Sequence, residues 1–193
     1  SLAMTTKNTK QRLIEEGTAL FLERGYHDTG IQDLLAAAGV PKGSFYHHFR
    51  SKETFGLAVI ATYGRYSVAA LEAALGDDQH PPLERVRRFF AGAFEQFEAV
   101  GCRRGCLLGN LGQELSEVSE TFRASISEQF DEWAVRIAPC LEAAKADGSI
   151  APETDAENFA RLLIDGFQGA ALRMKLERNS APLSRFLQHY FGG

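Results

Sequence analysis

Apolar residues recur at three- and four-residue spacing along most of this chain, the period that gathers them on one face of an α-helix. Leu13, Ile14, Ala19–Phe21 and Leu22 make one side of a first helix over Thr9–Arg24, which Gly25 stops. Ile31, Leu34, Leu35 and Ala38 mark a short second helix, with Thr29 placed to cap it and Gly39 to end it. Pro41 suits the first turn of a third helix, where Phe45 and Phe49 turn inward. Ser51–Leu75 is one long helix with capping hydroxyls at Ser51 and Thr54. After the loop GDDQHPP, Leu83–Val100 repeats Val86, Phe89/Phe90, Ala93/Phe94 and Phe97 at helical spacing. Ser119–Asp147 carries Phe122, Ile126, Phe130, Trp133, Ile137 and Leu141, with a kink expected at Pro139. Asp155–Arg178 and Leu183–Phe191 complete the pattern, divided by Ser180-Ala181-Pro182.

One stretch departs from ordinary helix composition. GCRRGCLLGNLGQEL, Gly101–Leu115, puts four glycines in twelve residues and predicts a broken or closely approached backbone. Asn110, Gln113 and Glu114 bring polar groups into this otherwise apolar segment.

Two short helices at a Gly corner form a helix-turn-helix, and the second has the side chains that read a DNA groove. Lys42 and His47 can donate to guanine or phosphate, Ser44 and Tyr46 offer hydroxyls, and Gly43 lets backbone approach closely. Arg50 and Lys52 follow at the next helix start, a place that favours phosphate. Arg12 and the arm before it either reach the DNA backbone or begin the chain in solvent.

Charge narrows this picture. The 193 residues carry a net charge of −4, which argues against binding nucleic acid with the whole surface. Residues 1–55 hold seven Lys/Arg against six Asp/Glu, so the cations of the head suit a compact contact. No apolar run approaches a membrane span, and the polar N-terminus carries no export signal. Three cysteines, Cys102, Cys106 and Cys140, fit no disulfide framework and point to a reducing cytoplasm. There is no metal-ligand spacing, phosphate loop, GxSxG or GxGxxG, so no metal or cofactor is expected.

TGIQDLLAAAGVPKGSFYHHFRSKETF, preceded by a helix ending FLERGY, closely resembles the DNA-binding region of TetR-family transcriptional regulators. GCRRGCLLGNLGQEL and FQGAALRMKLE narrow the resemblance to the AcuR/NemR-like subgroup. The resemblance implies an all-α fold of about nine helices: a helix-turn-helix head over residues 1–52 and an effector-binding and dimerisation body over 53–193. It implies a homodimer through the last two helices, bound to double-stranded operator DNA. It also implies a repressor released by a small reactive or unsaturated acyl effector. Two such heads would enter successive major grooves of a near-palindromic operator, roughly 34–36 Å apart. Tyr46, Lys52 and Thr29 would hold phosphates; Lys42, Gly43, Ser44 and His47 would face bases.

Two sensing chemistries stay open. In one, Tyr63, Tyr66, Phe90, Phe94, Phe97, Trp133 and Phe167 line an apolar cavity, with Asn110, Gln113, Gln168 and Arg173 orienting a reversible effector. Arg173 is the expected carboxylate partner. In the other, Cys106 is a nucleophile activated by Arg103 and Arg104, or a small packed residue. Lys175 matches a lysine of the electrophile-sensing relatives and would approach it. An enzyme built on Cys106 is the rival from another class, but none of the five histidines lies in the segments around it. A protein-binding adaptor would expose apolar anchors where PKGSFYHHF carries polar ones.

Overall fold

The structure, a computed structural model, describes residues 8–192; the N-terminal arm through Lys7 lies outside the described residues. Among them are nine helices and no strand: α1 Thr9–Arg24, α2 Ile31–Ala38, α3 Lys42–His48, α4 Lys52–Leu75, α5 Pro82–Ala99, α6 Leu107–Leu115, α7 Glu120–Ala146, α8 Ala156–Glu177 and α9 Ala181–Phe191. The all-α architecture is the one expected.

Local chemistry sets most boundaries. Asn8 and Gln11 form a reciprocal capping box at the start of α1. Ser51, Ser119 and Asp155 cap α4, α7 and α8 through side-chain oxygens that accept from the first turn. The cap of α2 differs from the expectation. Gly30 holds that position, and its N–H donates to Asp33 Oδ2 at 2.8 Å. Thr29 is fully buried and its hydroxyl donates backwards to the Gly25 carbonyl at 2.7 Å. It closes the α1–α2 corner instead of capping a helix. Pro139 lies inside α7, which runs unbroken through it. The last break falls at Arg178, left-handed at φ 57°, and Ala181 and Pro182 already belong to α9.

The first three helices pack around the start of α4. Phe55, in α4's first turn, meets Phe21, Phe45 and Phe49 at ring distances of 6.0, 5.5 and 5.0 Å. The rest of α4 lies against α5 and α7, while α8 packs on α7 and α9. The short α6 is wedged between α1, α4 and α7, and so touches both halves of the molecule. No described helix is long and apolar enough to cross a membrane.

Gly17 makes the seat for Phe55: a Cβ there would lie 2.4 Å from Phe55 Cζ, and that ring is completely buried. Gly17→Ala is expected to destabilise the fold by about 1–3 kcal/mol, the usual cost of overpacking. Thermal unfolding of both proteins checks it, and an unchanged midpoint would mean that the Phe55 ring moves freely.

Candidate functional site

The outer face of α3 is built by the alternation of its own sequence. Phe45 and Phe49 are buried, which leaves Lys42, Gly43, Tyr46 and His47 exposed and Ser44 half-buried. Tyr46 is 48% exposed although its ring stands edge-on to Phe45 at 5.3 Å. A Cβ on Gly43 would meet nothing within 4 Å, so the fold does not itself require glycine there. The bare backbone is a property of the surface. Arg50 is exposed beside this face.

Two of the expected phosphate contacts sit differently. The Thr29 hydroxyl is turned inward, so it cannot reach a phosphate from its place in the corner. The Lys52 ammonium lies 4.2 Å over the Tyr26 ring. Burial holds its pKa below the usual lysine value, against the pull of Glu114, Asp28 and Asp33. Lys52 borders the face rather than projecting from it.

In the body, α4, α5, α7 and α8 enclose a cavity of about 260 Å³. Of the aromatics expected there, Tyr63, Tyr66, Phe97, Trp133 and Phe167 line it. Phe97 stacks on Phe167 at 5.8 Å, and Trp133 stands edge-on to Phe89, a lining residue absent from the expected set. Tyr66 is largely solvent-exposed at the mouth. Phe90 and Phe94 do not line it. Phe90 is completely buried against Phe167 and Phe186, where it joins α5 to α8 and α9; Phe94 is half-buried against the core.

The polar set divides as well. Asn110, Gln113 and Gln168 line a second cavity of about 170 Å³ between α6 and α8. Arg173 lines neither cavity: it points to solvent and pairs with Glu177 at 2.7 Å, one helical turn away. The charged residue on the aromatic cavity is Arg88 of α5, with Gln96 and Ser67 as polar neighbours. These were not anticipated, although Arg88, Gly92 and Gln96 fall four apart on one side of α5.

Cys106 lines both cavities. It is the N-terminal cap of α6 and is buried, with the Tyr63 hydroxyl donating weakly to its Sγ at 3.9 Å. Burial, then the Cys106 thiol, raises the Tyr63 phenol well above its usual pKa. The backbone before it turns left-handed at Gly101, Cys102 and Gly105, so Cys102 and Cys106 share no helix face. Lys175 lies across this turn: a Cβ on Gly105 would be 2.8 Å from Lys175 Cδ. The Lys175 ammonium donates to Asn110 Oδ1 at 3.4 Å, and burial, then Arg178, lowers its pKa. Arg104 pairs with Glu23 of α1 at 3.1 Å. No group of three or more His, Cys, Asp or Glu among the described residues is placed to hold a metal.

The family profile described as "Bacterial regulatory proteins, tetR family" matches residues 13–59, and "Tetracyclin repressor-like, C-terminal domain" matches residues 82–190. The chain belongs to the TetR family of transcriptional regulators. It is similar to the HTH-type transcriptional repressor DhaR of Mycobacterium sp. strain GP1, at 39% identity over 97% of this chain and 93% of that protein. It is similar to the transcriptional regulator AcuR of Cereibacter sphaeroides, at 41% identity over 93% and 82%. Among solved structures, a regulatory protein TetR from Rhodobacter sphaeroides superposes with a TM-score of 0.91 at 40% identity, covering 94% of this chain and 96% of that one. As a TetR-family member the chain is a DNA-binding transcriptional regulator. The exposed face of α3 lies within the N-terminal family match, and both cavities take residues from the C-terminal one.

Proposed function

We propose that this TetR-family protein is a homodimeric repressor whose head, residues 1–52, holds a near-palindromic operator, and whose body, residues 53–193, releases it when a small effector enters the aromatic cavity. The observation that carries the DNA assignment is the two-sidedness of α3: phenylalanines inward, Lys42, Gly43, Tyr46 and His47 outward. Ser44 and Arg50 complete the contact surface. Relatives named as transcriptional repressors support repression over activation. Dimerisation through α8 and α9 is supported by Leu162, Leu172 and Leu176, exposed on α8 near Gly169, whose missing side chain leaves open space. A second copy would cover that stripe and build a four-helix contact about a two-fold axis.

The effector reading follows from the cavity's chemistry. Its walls are aromatic, and its one charged lining residue is Arg88, with no carboxylate alongside. That combination suits a short apolar acid whose carboxylate reaches Arg88. Cys106 on the same wall favours a second reading, in which an unsaturated acyl compound adds to the thiol, with Lys175 packed on the preceding Gly105.

Tyr46→Ala is expected to abolish operator binding at matched salt while leaving helicity and melting unchanged. A wild-type gel shift from this variant would remove α3 from the interface. Trp133, the single tryptophan, stands in the cavity wall and reports occupancy through its emission. With butyrate or benzoate as probe, Arg88→Ala should weaken binding about tenfold, as loss of a charged hydrogen bond does. Arg173→Ala should change it less than twofold, and the neutral amides should bind Arg88→Ala and wild type alike. Equal binding by wild type and Arg88→Ala would reject the carboxylate assignment. For the thiol reading, α,β-unsaturated acids should release operator from wild type and not from Cys106→Ser, with an adduct seen at Cys106 by mass spectrometry. Equal release from both makes sensing reversible.

A further inference from the structure

A single carboxylate ties the body to the head. Glu114, in the last turn of α6, accepts from two successive backbone N–H groups: Tyr26 N to Oε2 at 2.8 Å and His27 N to Oε1 at 2.9 Å. These are the first amides after the α1 cap, in the corner from which the helix-turn-helix hangs. The corner is shaped for this contact. Gly25 is left-handed at φ +84°, and a Cβ there would lie 2.9 Å from Glu114 Oε2. Thr29 locks the other side through its hydroxyl to the Gly25 carbonyl.

The opposite end of α6 stands at the cavities. Cys106 caps the helix and lines both, and Gly109 and Asn110 line the second. Asn110 fastens the middle of α6: its Nδ2 donates to the Arg104 carbonyl at 2.7 Å, and Lys175 of α8 donates to its Oδ1. Nine helical residues span about 13 Å. The helix is therefore a short strut that carries cavity wall from Cys106 to Gln113 and ends in a charged two-point clamp on the head. The Arg104–Glu23 pair runs parallel to it but is solvent-exposed, so it contributes little. Two charge-assisted bonds to main-chain donors have no side-chain slack on the head side, so a displacement of α6 beyond the reach of the Glu114 side chain moves the corner or breaks the clamp.

We propose that Glu114 is the positioning residue through which the cavity and the DNA-reading head set each other's state. The structural part stands on the clamp alone; the effect on DNA rests on the operator-binding reading above. Coupling of this kind is reciprocal, and typically changes affinity by about 5–150-fold. Glu114→Gln keeps the shape of the side chain but replaces one accepting oxygen with a donor, so only one of the two bonds can form.

The seat of α6 can be disturbed without knowing the effector. A Cβ on Gly109 would lie 2.2 Å from Gln168 Oε1, so Gly109→Ala displaces the Gln168 side chain from its seat against α6. Lys175→Met removes the tie to Asn110 and is a second, milder disturbance. Hydrogen exchange by NMR at the Tyr26 and His27 amides is the readout, with protected α8 amides as the control for folding. In the wild-type background each disturbance should change exchange at these two amides by about fivefold or more. In Glu114→Gln one of them should exchange fast from the start, and the pair should respond less than twofold. Transmission that survives Glu114→Gln, or amides that ignore both disturbances in wild type, would overturn the proposal. The same four-way cycle on operator affinity, using the gene's upstream DNA, should show the disturbance lost in Glu114→Gln. If the exchange result holds and wild type binds no operator, the regulatory reading fails while the clamp stands.

Discussion

Burial of one ring organises the molecule. Phe55 belongs to α4, the helix shared by head and body, yet it is fully enclosed by Phe21 of α1, by Phe45 in the middle of α3 and by Phe49 at its C-cap. Burying a phenylalanine contributes roughly 1.5–3 kcal/mol, and each well-angled ring pair about 0.5–1.5 more. Helix α3 thus has its inner face committed to α4, which leaves only its polar face for a partner. The residue after Phe55 extends the same constraint. Gly56 lies under the rings of Tyr26 and Phe122, which are 5.1 Å apart, so the α1–α2 corner, α4 and α7 meet without a side chain between them.

The body uses its aromatic residues in two ways. Phe90, Phe167 and Phe186 weld α5 to α8 and α9, whereas Phe89, Phe97 and Trp133 stop short of filling the space between α4, α5 and α7. Neighbours in sequence therefore do different jobs: Phe90 stabilises, Phe89 encloses. Arg88, one residue earlier, gives that enclosure its charge. The glycines of the α5–α6 connection make a comparable division. Gly101 and Gly105 supply the left-handed turns that bring Cys106 to the wall, while Gly109 lets Gln168 press against α6.

Much of this was legible in order. Helices bury faces at a period of 3.6, and the caps are local hydrogen bonds, so Thr9–Arg24 was recovered to the residue and α4, α7 and α8 to within one. The outward set on α3 followed from Phe45 and Phe49 in the same way. Thr29 was misjudged because a capping hydroxyl and one that bonds backwards across a corner have the same sequence signature. Arg173 was misjudged because its partner Glu177 lies on its own helix face, a choice made by which side of α8 turns to solvent.

What the sequence determined by itself is carried by contacts a few residues long: eight of the nine helices, the Ser51 cap and the Gly39 stop, the two-faced α3 and the glycine-rich break before α6. Only the tertiary structure decided which aromatics wall a cavity, that Arg88 rather than Arg173 charges it, and that Cys106 stands between two chambers. The Glu114 contact with Tyr26 and His27 shows the reason most plainly. Its partners are 88 and 87 residues away and are main-chain amides, which no side-chain pattern encodes. They become donors to Glu114 only when packing brings α6 under the corner that Gly25 opens.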